Sequence, residues 1–400
     1  MPTESQPFVI RTFPVELLSE GEKTVISPYG YQGQTQILIG SKKLHAFNLL
    51  GEHLWAFETK GNLKEICHFT NCDLSDRLVI FAERVSETLL SGGELLLFTK
   101  CDGHAYYFTG GQKPKSEICF EEEFTALGLG KSPIDGTDFI CIATCNPTNR
   151  SKGILELYNA AGNQLWKRSL SSCITKLHFI YQDDRQVAWL AGNKQGILTS
   201  LNPSGQIDWE LQVSKDEIKS IEITYLSPVS TRIAVGGKTG AVSLVAVDGE
   251  TLWSHNEKSD LLGLACVDVN KDGEDEILAM FSNHVCCYRQ SGEIFWRIEF
   301  NEKIWSFDHC PSSDKEIIVC VGDQVQIINV SDGSLNWKAT LNGKGVACCA
   351  WSSNDQTWWA VCIQAKHSDR KIFDWFGREQ LYLGVIGRRS INIQDLPHID

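Results

Sequence analysis

Residues 290–300 read QSGEIFWRIEF, and the phrase at 292–296, GEIFW, returns along the chain. GEHLW occupies 51–55, GNQLW 162–166, GQIDW 205–209, GETLW 249–253 and GSLNW 333–337. Two looser copies, GHAYY from Gly103 and GREQL from Gly377, bring the set to eight. Successive glycines are 52, 59, 43, 44, 43, 41 and 44 residues apart. A period in the low forties marks a repeat architecture, and the content of one unit decides which kind.

The sixth unit reads LLGLACVDVN, a KDGEDE turn, EILAMF, an SNH turn, VCCYR, a QSGE turn and IFWRIEF. These are four short apolar or alternating segments joined by polar turns, rich in β-branched and aromatic residues, with no helical period. One such sheet is apolar on both faces and cannot stand alone. Radial stacking on like sheets buries both faces. The expectation is an all-β chain, a single β-propeller of four-stranded antiparallel blades, with eight blades favoured and seven as the alternative. One domain over 1–400 is expected, with units near 22–60, 61–110, 120–170, 171–213, 214–257, 258–300, 301–341 and 342–390. The first blade takes its inner strand from PFVIRTF or KTVIS within 8–27; alternatively, LYLGVIGRRSINI at the C-terminal end closes onto blade one.

In this reading the glycine permits the hairpin turn before the outermost strand. Trp55, Trp166, Trp209, Trp253, Trp296 and Trp337 open those strands and pack as repeat-defining rings between blades.

Length, at 400 residues, allows a large core, and 42% apolar with 22% charged residues is an ordinary globular composition. A formal charge of −13 argues against general nucleic-acid binding, which draws its affinity from clustered Lys and Arg. No apolar run is long enough for a membrane span, and the first residues show no secretory pattern. A cytoplasmic location is therefore expected. The 15 cysteines are expected as thiols, mostly buried, and an odd count precludes complete pairing.

The tryptophan phrase after segments such as HAFNLL and LELYNAA resembles the docking repeat of pyrroloquinoline-quinone-type propellers. DVNKDGEDEILA at 268–279 resembles the FG-GAP repeat of integrin α-chain propellers. The first resemblance implies, as the alternative function, an enzyme with a site in the central funnel, a quinoprotein-like dehydrogenase; a lyase or hydrolase is the other enzyme reading, because such sites assemble from distant loops. Two CC pairs occur, at 286–287 and 348–349, but no catalytic or cofactor-binding set stands out. Cys286 and Cys287 fall within a strand and point to opposite faces, as core packing requires. None of the ten histidines shows tight ligand spacing.

The stretch with local chemistry is DVNKDGEDE. Asp268, Asn270 and Asp272 alternate around a bend at Gly273, with the Glu274 carbonyl and the Glu276 carboxylate behind them. Hard oxygens at this spacing suit Ca2+. The sites expected are thus one calcium loop and no catalytic residues. The function expected is a protein-interaction scaffold or complex subunit, with partners met on a propeller face or through loops 85–93, 110–124 and 145–153.

Overall fold

The computed structural model describes residues 8–15, 25–31, 34–40, 43–48, 52–58, 63–68, 77–82, 104–109, 116–119, 123–131, 138–145, 152–159, 163–182, 186–227, 230–309, 316–341, 343–353, 356–365 and 381–387. Every regular element among them is a β-strand, and the strands form four-stranded antiparallel sheets.

Six sheets of four consecutive strands carry the tryptophan phrase on the fourth strand and are the regular blades. Blade I lies within 25–58, blade II within 123–170, blade III within 174–212, blade IV within 218–256, blade V within 261–299 and blade VI within 304–340. Each shares one irregularity. The ladder between its third and fourth strands slips beside the tryptophan, at Ala46/Phe47, Leu157/Tyr158, Ser200/Leu201, Leu244/Val245, Cys287/Tyr288 and Ile327/Ile328. A bulge of this kind bends the outer strand and re-aims its side chains.

The expectation of eight blades, or seven, is corrected by this register to six regular blades. The two looser phrases do not open fourth strands. His104–Thr109, from GHAYY, is the third strand of a sheet with Leu63–His68, Arg77–Ala82 and Ser116–Cys119. GREQL ends where Leu381–Gly387 begins, and that segment is the third strand of a sheet started by Gly343–Ser353 and Gln356–Ala365. The outermost strand of this last sheet is Phe8–Val15, paired from Phe8↔Gly387 to Val15↔Leu381. PFVIRTF is therefore an outer strand, and Val25–Tyr31 supplies the inner strand of blade I. The repeat fails at both places because a glycine followed by an aromatic or apolar residue opens any strand after a turn; only the bulge with its tryptophan marks the fourth.

The chain divides into two compact units. One comprises Met1–Ile66, Asp73–Asp76 and Glu302–Asp400, and includes blades I and VI. The other comprises Cys67–Cys72 and Arg77–Asn301, and includes blades II to V. In blade V the central strands Glu276–Phe281 and His284–Tyr288 are buried at every position, whereas the outer strand Ile294–Glu299 alternates between exposed and half-buried residues. That gradient follows from stacking: middle strands are covered on both faces, the outer strand only in part.

Cys145, at the end of the second strand of blade II, is disulfide-bonded to Cys173, just before blade III, with Cα atoms 5.5 Å apart. The all-thiol expectation is corrected for this pair. Among the described residues Cys141, Cys266, Cys286, Cys287, Cys320 and Cys348 are free thiols.

Blades II to V show what the repeated phrase does. The Trp166 Nε1 donates to the Pro203 carbonyl, Trp209 Nε1 to Val247 and Trp253 Nε1 to Gln290, each carbonyl lying in the next blade's turn. Each ring rests on that turn's glycine. A Cβ at Gly205 would stand 2.7 Å from Trp166, at Gly249 2.9 Å from Trp209, and at Gly292 2.8 Å from Trp253. These glycines also have φ of 76°, 94° and 88°, which disfavours any side chain. The tryptophans are half-buried, except Trp55, which is buried and donates to Gln36 Oε1.

The glycine and the ring form one contact, so their substitutions should couple. Trp253→Ala should cost about 3 kcal/mol, the usual scale for deleting a packed aromatic ring. Gly292→Ala should destabilise through its clash with that ring and its positive φ. In denaturant unfolding the double variant should lose less than the sum of the singles, because the ring that clashes is gone. Additive losses would show that the two positions do not share a contact.

Candidate functional site

Blade IV ends in Thr251–Asn256, and the third strand of blade V is His284–Tyr288. Residues two apart on a strand share a face. Trp253, His255 and Glu257 therefore form one row, and His284, Cys286 and Tyr288 form the row facing it. The rows meet directly: the His255 and Tyr288 rings stack at 5.1 Å, and the Trp253 ring lies 5.5 Å from Tyr288. At the far end, donor atoms of Glu257, His284 and Cys286 lie within 4.8 Å of one another. The neighbouring strand adds Arg297 opposite Cys286 and Glu299 opposite His284.

His284 is 2% exposed and Cys286 fully buried. Glu257 is held from three sides. Its Oε1 accepts from the Tyr288 hydroxyl at 3.2 Å, Arg297 Nη1 stands 3.1 Å from Oε2, and His284 Nε2 stands 3.4 Å from Oε2. Burial raises the Glu257 pKa, but the bond and charge of Arg297 outweigh it, and the carboxyl sits below its ordinary range. Burial, then Arg297, push the His284 imidazole below its ordinary value against the pull of Glu299 and Glu257. Burial raises the Cys286 thiol to about 11.

The tautomer of His284 follows from its other partner. Nδ1 lies 2.9 Å from Asn283 Oδ1, an atom that can only accept, so Nδ1 carries the proton. In the neutral ring, which the lowered pKa favours, Nε2 is then a lone pair. It is buried and makes no hydrogen bond, although a carboxylate oxygen lies 3.4 Å away. The Phe281 ring, stacked at 4.4 Å, fixes the plane of the imidazole.

The calcium-type loop is built differently. Asp268 accepts from the amides of Asp272 at 3.1 Å and Gly273 at 3.0 Å. Asp272 Oδ1 accepts from Glu274 N at 2.9 Å, and Asn270 Oδ1 from Asp272 N at 2.9 Å. Glu276, 4% exposed, accepts from Val269 N at 2.9 Å. The side-chain oxygens of Asp268, Asn270, Asp272 and Glu276 thus accept from the loop's own N–H groups. Burial, then the Asp272 and Asp268 charges, raise Glu276 against the bond from Val269. Loop 85–93 and most of 110–124 and 145–153 lie outside the described residues.

Sequence reasoning passed over the Glu257 cluster because its members are 27 and 2 residues apart and none of the spacings is a known ligand motif. A signal existed in the repeat. Four residues beyond the tryptophan, the other blades place Leu170, Val213, Phe300 and Leu341, and blade IV alone places a carboxylate there, Glu257. At the His284 register, blades II to IV place Ile154, Ile197 and Ala241.

No protein-family model matches the chain, and no curated protein matches it. Solved structures do. A crystal structure of BBS1N in complex with ARL6DN, soaked with lead, aligns with a TM-score of 0.55 at 13% identity, over 84% of this chain and 98% of that one. BamB from Moraxella catarrhalis aligns with a TM-score of 0.57 at 11% identity, over 98% and 99%. The quinohemoprotein alcohol dehydrogenase from Comamonas testosteroni aligns with a TM-score of 0.60 at 9% identity, over 95% and 76%. The chain has a β-propeller fold. Identities this low carry the fold alone.

A half-buried acid, Glu222, lies on the inner strand of blade IV. Burial raises Glu222 from 4.5 to about 7, against the opposing charge of Lys176 and a bond from Ser220. A raised carboxyl pKa means that the folded state holds the proton more tightly than the unfolded chain. Its contribution to stability is complete below about pH 4.5 and is lost as pH rises through about 7. Glu222→Gln should remove this slope, read as unfolding free energy against pH between those values. A variant with the wild-type slope would place the titration elsewhere.

Proposed function

We propose that this chain is a protein-binding β-propeller that meets its partner along its rim. The observation that carries the reading is a repeated exposed apolar residue at the start of the outer strands. Leu165, Ile207, Leu252, Ile294 and Leu335 are 40–49% exposed, each within two residues of a blade tryptophan. Isolated apolar side chains on a surface are ordinary. Here one recurs in each of blades II to VI, one or two residues before the tryptophan, on strands whose bulge lies beside that ring. Blades II to V thus present four of them in consecutive blades of one compact unit. Apolar side chains carried on preformed strands limit the ordering cost of association. The BBS1N structure, whose fold this chain shares, is of a complex with ARL6DN. Among the described residues no helix is long and apolar enough to cross a membrane.

The test is a variant carrying Leu165→Glu, Ile207→Glu, Leu252→Glu and Ile294→Glu. Each change is at a partly exposed position and should shift stability by about 0.5 kcal/mol or less. Crosslinking with mass identification should recover a defined partner from the native cell with the wild type and lose it with the variant, at an unchanged unfolding midpoint. Recovery of the same partner by both proteins would remove the rim as the binding surface.

A further inference from the structure

We propose that Glu257, His284 and Cys286 bind one divalent transition-metal ion of the zinc class, joining the end of blade IV to blade V. The argument begins with an electrostatic mismatch. His284 Nε2 is a buried lone pair, and the atom nearest to it that could partner it, Glu257 Oε2 at 3.4 Å, is another acceptor. With the ring neutral, the two acceptors face each other across that distance, and a proton or a metal ion between them would join them. Cys286, two residues along the same strand face, supplies the third donor, within 4.8 Å of the others.

The donor set selects the metal. One imidazole nitrogen, one thiolate and one carboxylate oxygen suit zinc and its late neighbours, whereas calcium and magnesium want oxygen throughout. The surroundings match an outer shell that orients ligands. Asn283 accepts the Nδ1 proton, Phe281 holds the ring, and Tyr288 donates to the Glu257 oxygen that faces away from the histidine.

The site must contract to close. Zinc bonds of about 2.0–2.3 Å place tetrahedral donors about 3.3–3.8 Å apart. The widest pair must therefore draw in by about 1 Å. Glu257 provides the movement, because it lies just beyond the end of its strand, whereas His284 and Cys286 are fixed in a buried one. Arg297 is the competitor. It pairs with Glu257 at 3.1 Å and with Glu299 at 2.6 Å, so it can release the first carboxylate and keep the second. On loading, the Cys286 S–H proton is released to solvent, the sulfur electron pair is donated to the metal, and nothing is oxidised.

The experiment uses the full chain, reduced and stripped of metal, titrated with Co2+ and then displaced with Zn2+. One equivalent of cobalt should show a thiolate charge-transfer band and tetrahedral ligand-field absorption. Cys286→Ser and His284→Gln should each lose that equivalent; this comparison is needed because the chain has 15 cysteines. Arg297→Gln keeps all three donors and removes the opposing charge, so it should bind at least about tenfold more tightly. If the ligand variants fail to fold, X-ray absorption of the zinc-loaded wild type decides, with one sulfur among nitrogen and oxygen scatterers expected. Two or more sulfurs, or none, would overturn the proposal. So would cobalt uptake unchanged in Cys286→Ser, affinity unchanged in Arg297→Gln, or a His284 held as imidazolium with no metal uptake.

Discussion

The seating of a tryptophan ring on the glycine turn of the next blade is the contact from which the rest of this architecture follows. Its demands are strict on both sides. The turn residue must adopt positive φ and must lack a Cβ, because the ring occupies that space at Gly205, Gly249 and Gly292. The ring must leave its own strand at an angle that the bulge beside it provides. Its indole N–H then satisfies a turn carbonyl that no strand would reach. From blade II to blade V each blade thereby sets the position of the next, and an error in one ladder would displace its neighbour.

A consequence is a polar position that the repeat keeps open. The residue before the one opposite the tryptophan has a cross-strand partner on the outer strand. The pairs are Glu156 with Lys167, Thr199 with Glu210, Ser243 with Ser254, Cys286 with Arg297 and Gln326 with Lys338. In three of them the partners bond directly, at 2.5, 3.1 and 2.9 Å. The outer strand is only partly covered, so polar pairs cost little there and help specify register. Between blades IV and V the same position holds a thiol and a guanidinium, flanked by His284 and Glu257 where other blades are mostly apolar. The site is a variation on a structural slot rather than an addition to the fold.

This explains which features could be read from sequence. Strands, turns and four-strand units were legible because a glycine, a bulge and a tryptophan leave a phrase that recurs with the fold. The blade count was overread at Gly103 and Gly377, since a phrase without its tryptophan shows a turn but not which turn. The cysteine pair at 145 and 173 was hidden because its members belong to successive blades, and their approach depends on inter-blade packing. Glu257, His284 and Cys286 were hidden for the same reason. Only the register of one outer strand against the next blade's third strand brings them together.

The two acidic sites of blade V differ in a way that composition does not reveal. In the loop from Asp268 to Glu276, each acceptor is aimed at a backbone or side-chain N–H, and the positive φ of Lys271 at 63° and Gly273 at 90° turns those amides inward. Such a loop gives its oxygens N–H partners. In the Glu257 cluster the backbone amides are committed to strand ladders and cannot turn, so acceptors are left facing an acceptor and a thiol. Arg297 relieves the carboxylate but offers nothing to the histidine nitrogen, because a guanidinium already shared by Glu257 and Glu299 lies on their side of the cluster. A buried lone pair without a donor costs about 1–3 kcal/mol. Apolar residues at the same register in blades II to IV show that the fold does not require that cost, so its presence in blade V points to a cation as the missing partner.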